Sequence, residues 1–133
     1  MKKNKERKAK TTVGQVMAAL ETLAPLNLAE AWDNSGLQIG HPDWPGENIL
    51  VALDPLPEAV QFACDNGMTL LVTHHPLIFK PLKAIHTGTP GGRIIEKALH
   101  HGLAIFSAHT NLDLARDGVN DLLARKLGLR NIV

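Results

Sequence analysis

The sequence predicts an α/β fold, a three-layer-type domain with a mainly parallel sheet and flanking helices. Three observations carry this reading. Short apolar runs recur at Ile49–Leu53, Thr69–Thr73 and Leu103–Ser107. Amphipathic segments with their own start and stop residues separate them. The alternation strand–helix–strand–helix–strand–helix calls for crossover connections, which make neighbouring strands parallel. Parallel strands share one carboxyl edge, where open α/β sheets place ligands and chemistry.

Each element has a local reason. Thr12 and Gln15 match a capping box, followed at helical spacing by Val13, Val16, Met17, Leu20 and Leu23; Pro25 ends that helix. Ala29–Gly40 (AEAWDNSGLQIG) reads as a loop because Asp33, Asn34, Ser35 and Gly36 are turn formers. His41–Glu47 reads as a second loop, rich in Pro and Gly. Pro57 opens a helix with Val60, Ala63 and Cys64 inward, and Asn66-Gly67 closes it. Thr89-Pro90 opens another, with Ile94, Ile95, Ala98 and Leu99 inward and Gly102 as its C-cap. Asp117 is the expected cap of a last helix carrying Val119, Leu122, Leu123 and Leu127, closed by Gly128. The final residues, Leu129 to Val133, read like the start of a further strand.

Composition narrows the class. The chain has 133 residues, 44% hydrophobic and 20% charged, the profile of one globular domain. A single cysteine excludes an internal disulfide framework and fits a reducing compartment, so the cytoplasm is expected. No apolar run reaches bilayer length. The formal charge of +1 hides an asymmetry: residues 1–10 carry six Lys/Arg and one Glu, whereas the remainder is net acidic. Residues 1–11 are therefore expected to form a solvated, flexible basic arm, with residues 12–133 as the single domain. The arm lacks interleaved aromatic residues, which argues against nucleic acid as a partner.

The chemistry concentrates at strand ends. LLVTHHPLIF (Leu70–Phe79) runs apolar residues into His74 and His75 before Pro76 stops the strand. AIFSAHTNLD (Ala104–Asp113) repeats the design with His109 and Asp113. Imidazole and carboxylate together suit Zn, Mn, Fe, Co or Ni better than Mg or Ca. The two rings can serve different ions of a pair, roughly 3.5–4 Å apart, with Asp113 joining from the next strand. The bland alternative is a His pair that only caps a strand. His109 reads as a ligand, a partner behind the ligands or a substrate contact, the second being favoured. Asp54 before Pro55 reads as a turn former. His100 and His101 suit the negative end of a helix dipole. His41 and His86 have no evident partner, and Trp32 and Trp44 read as core or interface anchors. No phosphate-binding glycine loop or nucleophile elbow is present, and Gly91-Gly92-Arg93 is only a weak anion signal.

WDNSGLQIG (Trp32–Gly40), NILVALD (Asn48–Asp54), LVTHHPLIF (Leu71–Phe79), HGLAIFSAHTNLD (His101–Asp113) and GVNDLLARKLGL (Gly118–Leu129) occur in this order. On these motifs the chain resembles the NGG-interacting-factor-three-like family, the GTP cyclohydrolase 1 type 2 homologues. The resemblance implies a dinuclear metal centre with His74, His75 and Asp113 as ligands, two divalent transition metal ions, and homohexamers. It also implies metal-activated water acting on a nucleotide-like substrate. The family completes its centre with a His-x-x-x-Glu motif, which does not occur after Asp113 in this sequence. The expectation is an N-terminal half of a family member, lacking the last strands. The competing expectation is a non-catalytic metal-binding or interaction module that forms a homo-oligomer.

Overall fold

A computed structural model describes residues 10–131. The expected arm falls almost wholly outside the described residues, as do Ile132 and Val133. Lys10, at the arm's end, pairs with Glu47 at 3.7 Å.

Four strands form one sheet in the order β1-β4-β3-β2: β1 Gly36–Ile39, β2 Ile49–Ala52, β3 Leu70–Thr73 and β4 Ala104–Ser107. The β2–β3 and β3–β4 pairs are parallel, and only β1 runs antiparallel, against β4. The three predicted strands are present. β1 corrects the sequence reading, which placed a loop over residues 29–40. Turn formers do govern the beginning of that segment, but Leu37 and Ile39 find a buried neighbour in β4 that local sequence does not reveal.

Side-chain alternation splits the core between two faces. Leu71 and Ile105 point to one face and pack with Val60 and Ala63 of α2 (Pro57–Asp65) and Ile94, Ile95 and Ala98 of α3 (Pro90–His101). Leu70, Val72, Ala104 and Phe106 point to the other face, against Val13, Val16, Met17 and Leu20 of α1 (Val13–Leu23). β3 and β4 are buried throughout because helices cover both faces. The result is the expected three-layer arrangement.

The caps behave as the sequence predicts in α1, where Thr12 and Gln15 complete a reciprocal capping box. Thr89 caps α3, and Gly102 closes it in the left-handed conformation. The Gly91-Gly92 pair serves packing: a Cβ on Gly92 would fall 1.9 Å from the His86 carbonyl oxygen. A one-turn helix, α4 (Thr110–Leu114), follows β4 and was not anticipated.

Four further expectations fail. The apolar run at Ile49–Leu53 reads as a buried strand, but β2 lies at the sheet edge: Val51 is 74% exposed, and only Leu50 and Ala52 reach the core. Leu99 and the stripe of α5 (Val119–Lys126), including Leu122 and Leu123, are exposed, since α5 packs against α4 and not against the sheet. Asp117 does not cap α5; Gly118 occupies that position, while Asp117 adopts positive φ and pairs with Arg125. Residues 129–131 form no strand.

Gly40 allows the β1 exit to pass close to β4. Its φ is +108°, and an added Cβ would lie 2.8 Å from the Ala104 Cβ. Gly40→Ala should cost about 2–4 kcal/mol, from backbone strain plus overpacking. Gly91, which has open space around it, should accept alanine without loss. Urea unfolding of the two variants side by side checks this contrast.

Candidate metal centre

The sheet register brings the histidines together. Thr73 lies opposite Ser107 in the parallel β3–β4 pair, so the residues following each strand emerge level at one edge. The backbone N–H groups of His74 and His75 both donate to the Leu53 carbonyl, at 3.2 and 3.0 Å. This ends the strand ladder and lets both rings lean over the same edge. Ser107 Oγ donates to the His74 carbonyl at 2.7 Å, and Thr73 Oγ1 to the His75 carbonyl at 2.8 Å. The ring centroids of His74, His75 and His109 are 5.0, 5.1 and 5.6 Å apart. One nitrogen from each ring lies within 4.8 Å of the others.

Each ring is held through Nδ1. His74 donates to the Ala108 carbonyl at 2.9 Å. His75 Nδ1 meets Asp54 Oδ1 at 2.7 Å, and His109 Nδ1 meets Asp33 Oδ1 at 2.8 Å. Asp113, on α4, stands with its Oδ1 3.5 Å from His74 Nε2. Three imidazoles and a neighbouring carboxylate fit a transition metal, and their nitrogen content fits Mg or Ca poorly.

The sequence reading is sharpened here. The mutually close group is His74, His75 and His109, so His109 stands beside the pair as a third imidazole, whereas Asp113 meets the cluster through His74. Asp54 and Asp33, read as turn formers, are the partners of His75 and His109. The available signal was their position, Asp54 ending a strand and Asp33 in a polar loop, but neither contact is local. His41 and His86 have modest partners after all, accepting from the N–H groups of Asp43 and Gly88. His101 Nδ1 donates to the Lys97 carbonyl within α3. Cys64 is half-buried against the core, and burial pushes its thiol up.

An aromatic rim borders the cluster. Trp32 is 61% exposed, and its ring lies 6.0 Å from that of Phe79 and 6.5 Å from that of His109. It is therefore not a core anchor, whereas Trp44 does pack against the α1-side core. Asn34 and Gln38 hold this rim by bonding the Ile78 carbonyl and N–H respectively. On the other side, Val51, Leu53, Val72, Ala108 and Leu112 form an apolar recess beside His74.

These features match known proteins. The model of the Duf34/NIF3 (NGG1p interacting factor 3) family matches residues 11–133. The chain belongs to this family. The Duf34/NIF3 relatives include the GTP cyclohydrolase 1 type 2 homolog of Halalkalibacterium halodurans, 45% identical over 117 residues, covering 88% of this chain and 32% of the relative. The protein of that name from Bacillus subtilis is 45% identical over 122 residues, covering 91% and 33% respectively. This chain thus spans about a third of the length of the curated relatives it matches. Among solved structures, a Bacillus cereus protein related to NIF3 superposes with a TM-score of 0.85 at 46% identity, covering 92% of this chain and 34% of that one. Reduced HcgD from Methanocaldococcus jannaschii superposes with a TM-score of 0.84 at 33% identity, covering 90% and 48%.

Asp33 carries a pH signature. Burial alone would raise its carboxyl, but hydrogen bonds from His109, Thr110, Ser35 and the Asn34 N–H outweigh burial and hold it well below the usual carboxylate range. A depressed carboxyl stabilises the fold above its unfolded pKa of about 3.9, and that stability is lost as pH falls below this value. Asp33→Asn should therefore flatten the fall in stability between about pH 4 and pH 2. Urea midpoints of both proteins across that range check the slope.

Proposed function

We propose that this chain provides the nitrogen-rich part of a divalent metal centre that hydrolyses a nucleotide-like substrate. The convergence of His74, His75 and His109 at one sheet edge carries the reading. His74, His75 and Asp113 are the proposed ligands, each ring being already oriented by its Nδ1 bond. The donor set fits Zn, Mn, Fe, Co or Ni, and the neighbouring placement of His74 and His75 supports two ions, one on each ring. A bound ion of this class supplies Lewis acidity and a nucleophilic hydroxide at neutral pH.

The chain's own residues would do the rest. Trp32 and Phe79 offer exposed ring surface beside the cluster for a flat heterocycle. The position of His109 between that rim and the other two rings supports a substrate contact. The reaction would be addition of water to an electron-poor ring carbon, such as C8 of a purine. The relatives' name, GTP cyclohydrolase 1 type 2 homolog, supports the substrate class. A homohexamer and a cytoplasmic setting complete this reading, the latter supported by the single free thiol. No helix among the described residues is long and apolar enough to cross a membrane.

A second reading is a non-catalytic metal-binding module in an assembly. It draws on the exposed apolar side chains of β2 and α5, including Val51, Leu53, Leu122 and Leu123. Size measurement with and without chelator tests it, since an assembly built on metal should shrink when the metal is removed.

Purified protein should retain stoichiometric transition metal, and His74→Ala combined with His75→Ala should abolish retention, as read by elemental analysis after dialysis. Metal that persists in the double variant would exclude this centre. GTP left unchanged by a metal-loaded full-length relative would exclude the substrate but not the metal.

A further inference from the structure

The three imidazoles are held from behind by acceptors of different kinds. A carbonyl or carboxylate oxygen has no proton to give, so the hydrogen in each contact sits on Nδ1. Each neutral ring then turns the lone pair of Nε2 away from its anchor. His74 relies on the Ala108 carbonyl, a fixed part of the backbone just beyond β4. His75 relies on Asp54, whose side chain is 38% exposed. His109 relies on Asp33, whose side chain has no exposed surface at all.

Asp33 is saturated. Its Oδ1 accepts from His109 Nδ1 and from the Asn34 N–H at 2.7 Å. Its Oδ2 accepts from Ser35 Oγ at 2.7 Å, the Thr110 N–H at 3.1 Å and Thr110 Oγ1 at 2.5 Å. Two of these donors, Thr110 N–H and His109 Nδ1, come from adjacent residues. The carboxylate therefore grips both the ring of His109 and the backbone beside it. A turn former needs none of these long-range bonds. Removing a carboxylate this deep from water is costly, and its five donors are the compensation.

We infer that Asp33 and Asp54 are positioning residues of the metal centre. Each fixes its histidine as the Nδ1–H tautomer and turns Nε2 towards the metal centre, which makes His109 a metal-facing imidazole alongside His74 and His75. Carboxylate–histidine–metal chains of this kind are worth 10–100-fold in metal affinity. The inference rests on the metal reading above and adds His109, with the two carboxylates, to the groups that determine affinity.

The test uses the 133-residue chain and two readouts. In metal-free protein, ring nitrogen NMR should show His109 as the Nδ1–H tautomer. Asp33→Asn should shift it towards Nε2–H, because the amide can turn its NH2 to the ring. Optical titration with Co(II) should show about 10–100-fold weaker binding in Asp33→Asn. That loss should vanish when His109→Ala is already present, whereas a merely structural loss would persist. Asp54→Asn, at a half-exposed position, should repeat both effects through His75 and remains informative if Asp33→Asn does not fold. Unchanged tautomers and Co(II) affinity within about twofold in the folded variants would overturn the inference, since that is well short of the 10–100-fold expected. Failure of the unaltered protein to bind Co(II) would instead overturn the metal reading, while the NMR result would still judge the tautomers.

Discussion

Everything at the candidate site depends on the parallel register of β3 and β4. Thr73 opposite Ser107 sets His74 beside Ala108, close enough for a ring-to-carbonyl bond of 2.9 Å. It also sets Ser107 Oγ on the His74 carbonyl. A slip of one residue would turn the buried side chains of β4 to the opposite face and separate His109 from His74. The register is protected because both faces of these two strands are covered. Leu71 and Ile105 pack under α2 and α3, while Leu70, Val72, Ala104 and Phe106 pack against α1. The core therefore acts as the ruler that spaces the imidazoles.

Onto this ruler the loops add orientation. Asp54 follows β2, Asp33 precedes β1, and each reaches a histidine on another segment. The polar segment Asp33–Gln38, which runs into β1, has a dual role. Asp33 ties it to His109 and Thr110, whereas Asn34 and Gln38 tie it to Ile78. Trp32 and Phe79 are thereby drawn together next to His109. Asn111, buried in α4, donates to the Ala24 carbonyl at the end of α1 and secures the helix that bears Asp113. The contacts that orient the three rings thus join segments distant in sequence, so the rigidity of the site is a property of the folded domain.

Much of this was legible beforehand, for identifiable reasons. The capping box of α1 and the Gly102 closure of α3 rest on interactions within a few residues, and the three parallel strands stand out as apolar runs separated by helices, all of which sequence displays directly. The meeting of His74 and His75 with the segment that carries His109 and Asp113 was readable because parallel topology forces strand ends to one edge. β1 was not, because its hydrophobic alternation is too short to stand out from the turn residues before it. The α5 stripe was misread because periodicity shows that a helix has an apolar face but not what covers it; here that face is exposed.

The sequence by itself determined the fold class, the parallel core and the strand ends that carry the histidines. These follow from apolar periodicity and local capping, which need no knowledge of distant partners. Only the tertiary structure decided that His109 faces the other two rings, that Asp33 and Asp54 anchor imidazoles, and that Trp32 borders the cluster. Those outcomes depend on hydrogen bonds spanning 21 to 77 residues, whose partners become neighbours only after the sheet has formed.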